Sequence, residues 1–149
     1  MEYDMPGSRF LVFLTLFFAL LGPSVAGQFA DGDAAFKHKD YASALHIWQP
    51  LAEVGDTDAQ YGLGLLYSSG LGLPQDYAEA AKWYRKSAKQ GNGRAATNLG
   101  QLYTYGQGVR QDDLEAVAWY RKAASQGIGL AEYDLGLAYF SGRGVQKDA

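Results

Sequence analysis

The chain has 149 residues, with 13 basic and 16 acidic side chains, a net charge of −3 and no cysteine. No Lys/Arg run exceeds two residues, which argues against the basic face that nucleic acid requires. The missing cysteines exclude disulfides, thiolate metal sites and a Cys nucleophile. At 48% apolar and 19% charged residues, the composition is that of one core-forming domain.

The first 26 residues read as a signal peptide. Phe10–Leu21 is a run of 12 residues broken only by Thr15, then Gly22-Pro23 stop it and Ser24-Val25-Ala26 offers a small-x-small cleavage site. A spanning helix needs roughly 20 apolar residues, so no stable membrane span is expected once the leader is removed. Glu2 and Asp4 are unusual in such a leader; a start at Met5 would leave a purely basic n-region. No Cys follows, which excludes a lipid-anchored form. The mature chain is therefore expected in the bacterial periplasm, secreted, or in a eukaryotic secretory pathway.

Residues 27–57 read as a degenerate helix pair, in which Asp40-Tyr41, Ala44, Ala52 and Gly55 precede Asp76-Tyr77, Ala80, Ala88 and Gly91 by 36 residues. Its first helix reads as short, and Pro50 is expected to kink the second.

From there a period of 36 residues organises the chain into units 58–93, 94–129 and an incomplete 130–149. Leu63-Gly64 recurs as Leu99-Gly100 and Leu135-Gly136, Gly70-x-Gly72 as Gly106-x-Gly108 and Gly142-x-Gly144, and Trp83-Tyr84 as Trp119-Tyr120. Between 59–91 and 95–127, 18 of 33 positions are identical, which excludes chance. Ala59, Leu63 and Tyr67 lie on one face of a helix. Gly64, costly within a helix, implies close approach of a neighbour. Gly70 and Gly72 supply positive φ at its end. Asp76-x-x-Glu79 and Asp112-x-x-Glu115 have the spacing of capping boxes that open second helices. The last unit has a first helix, Leu130–Ser141, and no second; a partner or a further repeat is expected to cover it.

The combined pattern A-x3-LG-x2-Y-x2-G-x-G-x3-D-x6-WY-x3-A-x2-G, met at Ala59–Gly91 and Ala95–Gly127 and in its first half at Ala131–Asp148, resembles the Sel-1-like repeat, a relative of the tetratricopeptide repeat. The resemblance implies an all-α fold, a right-handed α-solenoid of helix pairs, and the role of a non-enzymatic adaptor. The cysteine-rich branch of that family stitches its helices with disulfides. With no Cys here, nothing of that branch's debated β-lactam-related activity transfers.

No chemistry-bearing constellation competes with this reading. His38 and His46 have no partner ligands at metal spacing, G-x-S-x-G is absent, and the Gly-x-Gly turns lack a following Lys-Ser/Thr, so neither a cofactor nor catalysis is expected. Trp83 and Trp119 read as inter-repeat core, and Arg85-Lys86 and Arg121-Lys122 as a solvated stripe. If Leu63 and Tyr67 face the core, the concave groove presents Tyr61, Leu65, Ser68 and Ser69, then Thr97, Gln101, Thr104 and Tyr105, then Tyr133, Leu137, Phe140 and Ser141, with Arg94 near its entrance. Tyrosines beside small polar side chains suit a peptide or protein partner. An envelope protein binding carbohydrate or peptidoglycan fragments through Trp and Tyr faces is the alternative; a hydrolase is the weakest reading.

Overall fold

The computed structural model describes residues 24–145, so the expected leader lies outside the described residues apart from its last three. The described residues form seven helices and no strand: α1 (Val25–Lys37), α2 (Tyr41–Glu53), α3 (Thr57–Ser69), α4 (Tyr77–Lys89), α5 (Gly93–Tyr105), α6 (Asp113–Ala124) and α7 (Gly129–Ser141). Each packs on the next in sequence, and α3 also touches α5, so the first helices of successive pairs approach one another along one side of the array. This is an α-solenoid of helical hairpins. No described helix is long and apolar enough to cross a membrane.

Sequence explains the helix ends. Gly70, Gly106 and Gly142 adopt φ of 65°, 64° and 67°, the left-handed conformation that closes α3, α5 and α7. Asp56 and Asn92 cap α3 and α5 by accepting from the N–H groups of Ala59 and Ala95, at 2.7 and 2.9 Å. Ile128, in the same register, gives α7 no such bond. The second helices open with Asp76 and Asp112, each accepting two backbone N–H bonds through Oδ1. The expected capping box is one-sided, however. The N–H of Asp76 donates to Tyr67 O at 2.9 Å and that of Asp112 to Tyr103 O at 3.0 Å. With that donor already satisfied, Glu79 turns to Lys82, and Glu115 accepts from the indole of Trp119 at 3.2 Å.

Three further expectations need correction. The first helix of the N-terminal pair is not short: α1 has 13 residues, as many as α3, with Ser24 accepting from the N–H of Gly27. The second helix of that pair, α2, runs through Pro50 to Glu53, with Pro50 O accepting from Val54 N–H at 3.2 Å. The Arg-Lys pairs are not merely solvated. Lys86 stands 4.0 Å from the Trp83 ring centre and Lys122 5.4 Å from that of Trp119. Arg85 donates to the Tyr103 hydroxyl at 2.8 Å and Arg121 to that of Tyr139 at 2.6 Å. Each arginine thus reaches from a second helix to the first helix of the next pair. Trp83 and Trp119 are only half-buried, flanking the core instead of filling it.

The core is a series of aromatic rings seated against glycines. A Cβ on Gly64 would overlap the Tyr84 ring, and one on Gly100 would lie 2.6 Å from Cε1 of Tyr120. The two rings are buried, and their hydroxyls share hydrogen bonds of 2.9 Å with Ser68 and Thr104. In the N-terminal pair Trp48 takes the equivalent place: Gly32 and Gly62 leave room for its indole, which stacks on Phe29 with ring centres 5.8 Å apart. Gly136 has nothing within 4 Å of where its Cβ would be, because α7 has no following helix among the described residues.

The glycines therefore separate by context. Gly64→Ala and Gly100→Ala are expected to destabilise by about 1–3 kcal/mol through overpacking. Gly136→Ala should stabilise by up to about 1 kcal/mol through helix propensity. Urea denaturation of the three single variants measures the difference. The tyrosines also predict an alkaline transition. Burial pushes the phenols of Tyr84 and Tyr120 up to about 12 from the ordinary 10.0, while their hydroxyl partners pull the other way. The folded chain holds these protons more tightly, so the stabilisation is complete below pH 10 and is lost as pH rises from 10 towards 12. The melting temperature should fall across that window more steeply than in a Tyr84→Phe/Tyr120→Phe variant.

Candidate functional site

Residues of α1, α2, α3 and the start of α5 enclose a cleft of about 720 Å³. Its apolar wall is built by Phe29 from α1, Trp48 from α2, and Tyr61 and Leu65 from α3. Trp48 is held there from two directions: Phe29 and Phe36 pack on its ring, and its Nε1–H points at Phe29 O at 3.5 Å. The charged lining of the cleft comes from the paired Asp33 and Lys37 of α1, from Asp58, and from Arg94 in the first turn of α5. Tyr61 is half-buried, its ring centre 6.1 Å from that of Tyr84. Burial pushes its phenol above the ordinary value, with the nearby Arg94 charge acting in the opposite sense. Arg94 itself is exposed at the mouth.

The residues expected to line one continuous groove are divided by the structure. Tyr61, Leu65 and Arg94 share the large cleft. Tyr105 and Leu137 line a second, smaller hollow of about 110 Å³ between α5, α6 and α7. Gln101 is beside it, donating to Asp134 Oδ2 at 3.0 Å. Tyr133 and Phe140 line neither hollow and stand exposed on α7. Thr97 departs from the expectation: it is buried, its hydroxyl donating back to Gly93 O at 2.9 Å, so its short side chain presents nothing to a groove. Ser68 and Thr104 are likewise engaged with the core phenols.

Phe29, Trp48 and Asp58 were not among the expected site residues. A signal for Trp48 did exist, since it precedes Tyr84 by the 36-residue period and so occupies an inward register. Phe29 belongs to a helix whose sequence lacks the Leu-Gly signature, and periodicity alone could not place it. Among the described residues no three His, Asp or Glu side chains gather as a metal ion would require. The outer indoles of Trp83 and Trp119 each have a lysine ammonium over the ring. The site can therefore do what an aromatic cleft with a guanidinium rim does: bury an apolar side chain and orient an attached acceptor.

The sequence profile of the Sel1 repeat matches residues 57–92, 93–128 and 129–149, in step with the helix pairs α3–α4 and α5–α6 and with α7. Eighteen chains of solved structures match. One, a protective antigen present in uropathogenic Escherichia coli strains that displays an SLR fold, is 42% identical with a TM-score of 0.79; the match covers 84% of this chain and 28% of that one. Another, a Sel1 repeat protein from Oxalobacter formigenes, is 39% identical with a TM-score of 0.75 over 80% of this chain and 49% of that one. This chain thus spans between about a quarter and a half of the length of these relatives. No curated protein matches. With three profile matches covering most of the chain, and glycine-seated helix pairs in the same register, the chain belongs to the Sel1 repeat family.

Proposed function

We propose that this chain is an exported, non-enzymatic adaptor that holds a peptide segment of a partner protein in the cleft between α1, α3 and α5. Sel1 repeat proteins are generally protein-interaction scaffolds, and the repeat is typically non-catalytic. The observation that carries the reading is the juxtaposition, in one cleft, of the Phe29–Trp48 wall with Arg94 at the rim. Rigid aromatic surface supplies contact area at little entropic cost, and an exposed guanidinium orients a carboxylate or carbonyl of the ligand. Export rests on the leader-like residues 1–26, and the likeness to a protective antigen is consistent with it.

The processed chain used as bait in an extract of the exported compartment should retain a protein that Tyr61→Ala/Arg94→Glu fails to retain, with binding of a peptide from that protein weakened at least tenfold in calorimetry. Tyr133→Ala, outside the cleft, should leave retention unchanged. Equal retention by all three baits would dismiss the cleft. N-terminal sequencing of the exported chain should begin at Gly27, and a protein confined to the cytosol with residues 1–26 intact would dismiss export.

A further inference from the structure

The smaller hollow, of about 110 Å³, lies where α5, α6 and α7 meet, and comparison of successive repeats explains its origin. Asp113, Ala138 and Ser141 line it; one period earlier the same positions carry Tyr77, Leu102 and Tyr105. Three large side chains have become three small ones around one point. Where the preceding junction packs Tyr77 and Leu102 against its core, this one leaves space. A fourth exchange adds charge, since the position of Asn98 in α5 is Asp134 in α7, and Asp134 also lines the hollow. Gly136 and Phe140, on the open side of α7, take no part in it.

Two carboxylates and one guanidinium line the hollow. Asp113 and Arg143 neutralise each other in a two-pronged pair, at 2.9 and 3.1 Å. Asp134 pairs with no cation among the described residues. Its Oδ2 accepts from Gln101 Nε2 at 3.0 Å, a neutral partner that orients the carboxylate without compensating its charge. Tyr105 and Tyr120 add aromatic lining and Leu137 an apolar one. Burial raises the Tyr120 phenol, and the nearby Asp134 charge raises it further. A free carboxylate beside aromatic rings suits a compact cation on an apolar stem, which gains both the charge-assisted hydrogen bond and the ring face. An apolar group would strip water from Asp134 and replace none of its bonds. The hollow shares a face with the larger cleft, since Asp134 and Leu137 keep the registers of Gly62 and Leu65. We propose that it is a pocket for a basic side chain, lysine or arginine, of a polypeptide lying along that face. That the cation arrives on a polypeptide rests on the adaptor reading; the pocket itself does not.

Small cations test the pocket without the partner. Nα-acetyl-lysine methylamide and its arginine counterpart are titrated into the isotope-labelled chain and followed by NMR. At least one should shift the resonances of Asp134 and of the Tyr105 and Tyr120 rings to saturation, with a midpoint in the millimolar range. The norleucine counterpart, which lacks the charge, should not. Asp134→Asn keeps an acceptor for Gln101 and removes only the charge; it should weaken the binding at least tenfold, with an unchanged helical circular dichroism spectrum. Tyr61→Ala/Arg94→Glu should leave the titration as it was, so a failed cleft and a failed pocket are told apart. No saturable shift with either cation, a shift centred away from Asp134, equal binding of the norleucine compound, or an Asp134→Asn chain that binds as before would each overturn the proposal. So would a cleft-bound partner that the Asp134→Asn chain retains as tightly as the unaltered one.

Discussion

Everything in this array depends on a ring meeting a glycine. Helix pairs cannot approach closely where two Cβ-bearing faces meet, and Gly64 and Gly100 remove the obstruction where Tyr84 and Tyr120 must sit. The gain is a buried ring in a close-packed environment, and the hydroxyl of that ring finds its partner on the opposite helix, so no polar atom is left stranded. Among the described residues no buried side-chain polar atom lacks a hydrogen-bond partner. The cost of a mid-helix glycine is accepted for the packing it permits.

A second layer of contacts joins unit to unit. The arginines of α4 and α6 reach forward to Tyr103 and Tyr139, while Gln90 and Gln126 reach back to the carbonyls of Gly55 and Gly91, at 3.1 and 3.0 Å. The turn glycines add a steric constraint, since a Cβ on Gly108 would run into the backbone of α4 at Tyr77. Because these contacts recur with the period of the sequence, the α4–α5 and α6–α7 junctions are built from the same parts, and stability is passed between nearest neighbours.

Much of this was legible in the residues. The period, the helix pairs, the αL closures and the need for a close neighbour at Gly64 follow from spacing and from what glycine permits. What escaped was decided by partners rather than by spacing. Glu79 cannot close a capping box because Tyr67 O already takes the Asp76 N–H, and nothing in the motif announces that. Thr97 and Tyr133 share a register, yet one is buried and the other exposed, so register alone does not establish a groove. Tyr61, Leu65 and Arg94 do come together, but the aromatic wall facing them arises from α1 and α2, where the repeat signature is weakest.

That wall has a thermodynamic corollary. Trp48 and Phe29 are at once the contact that ties α1 to the array and the lining of the cleft. Among the described residues α1 packs chiefly on α2, and a helix with one main neighbour opens before one with two. A ligand that rests on these two rings loses its seat whenever α1 detaches, and α1 detaches less often while the ligand is there. Occupancy and local order at this end are then a single linked equilibrium, in which α1 becomes protected from hydrogen exchange in proportion to ligand concentration.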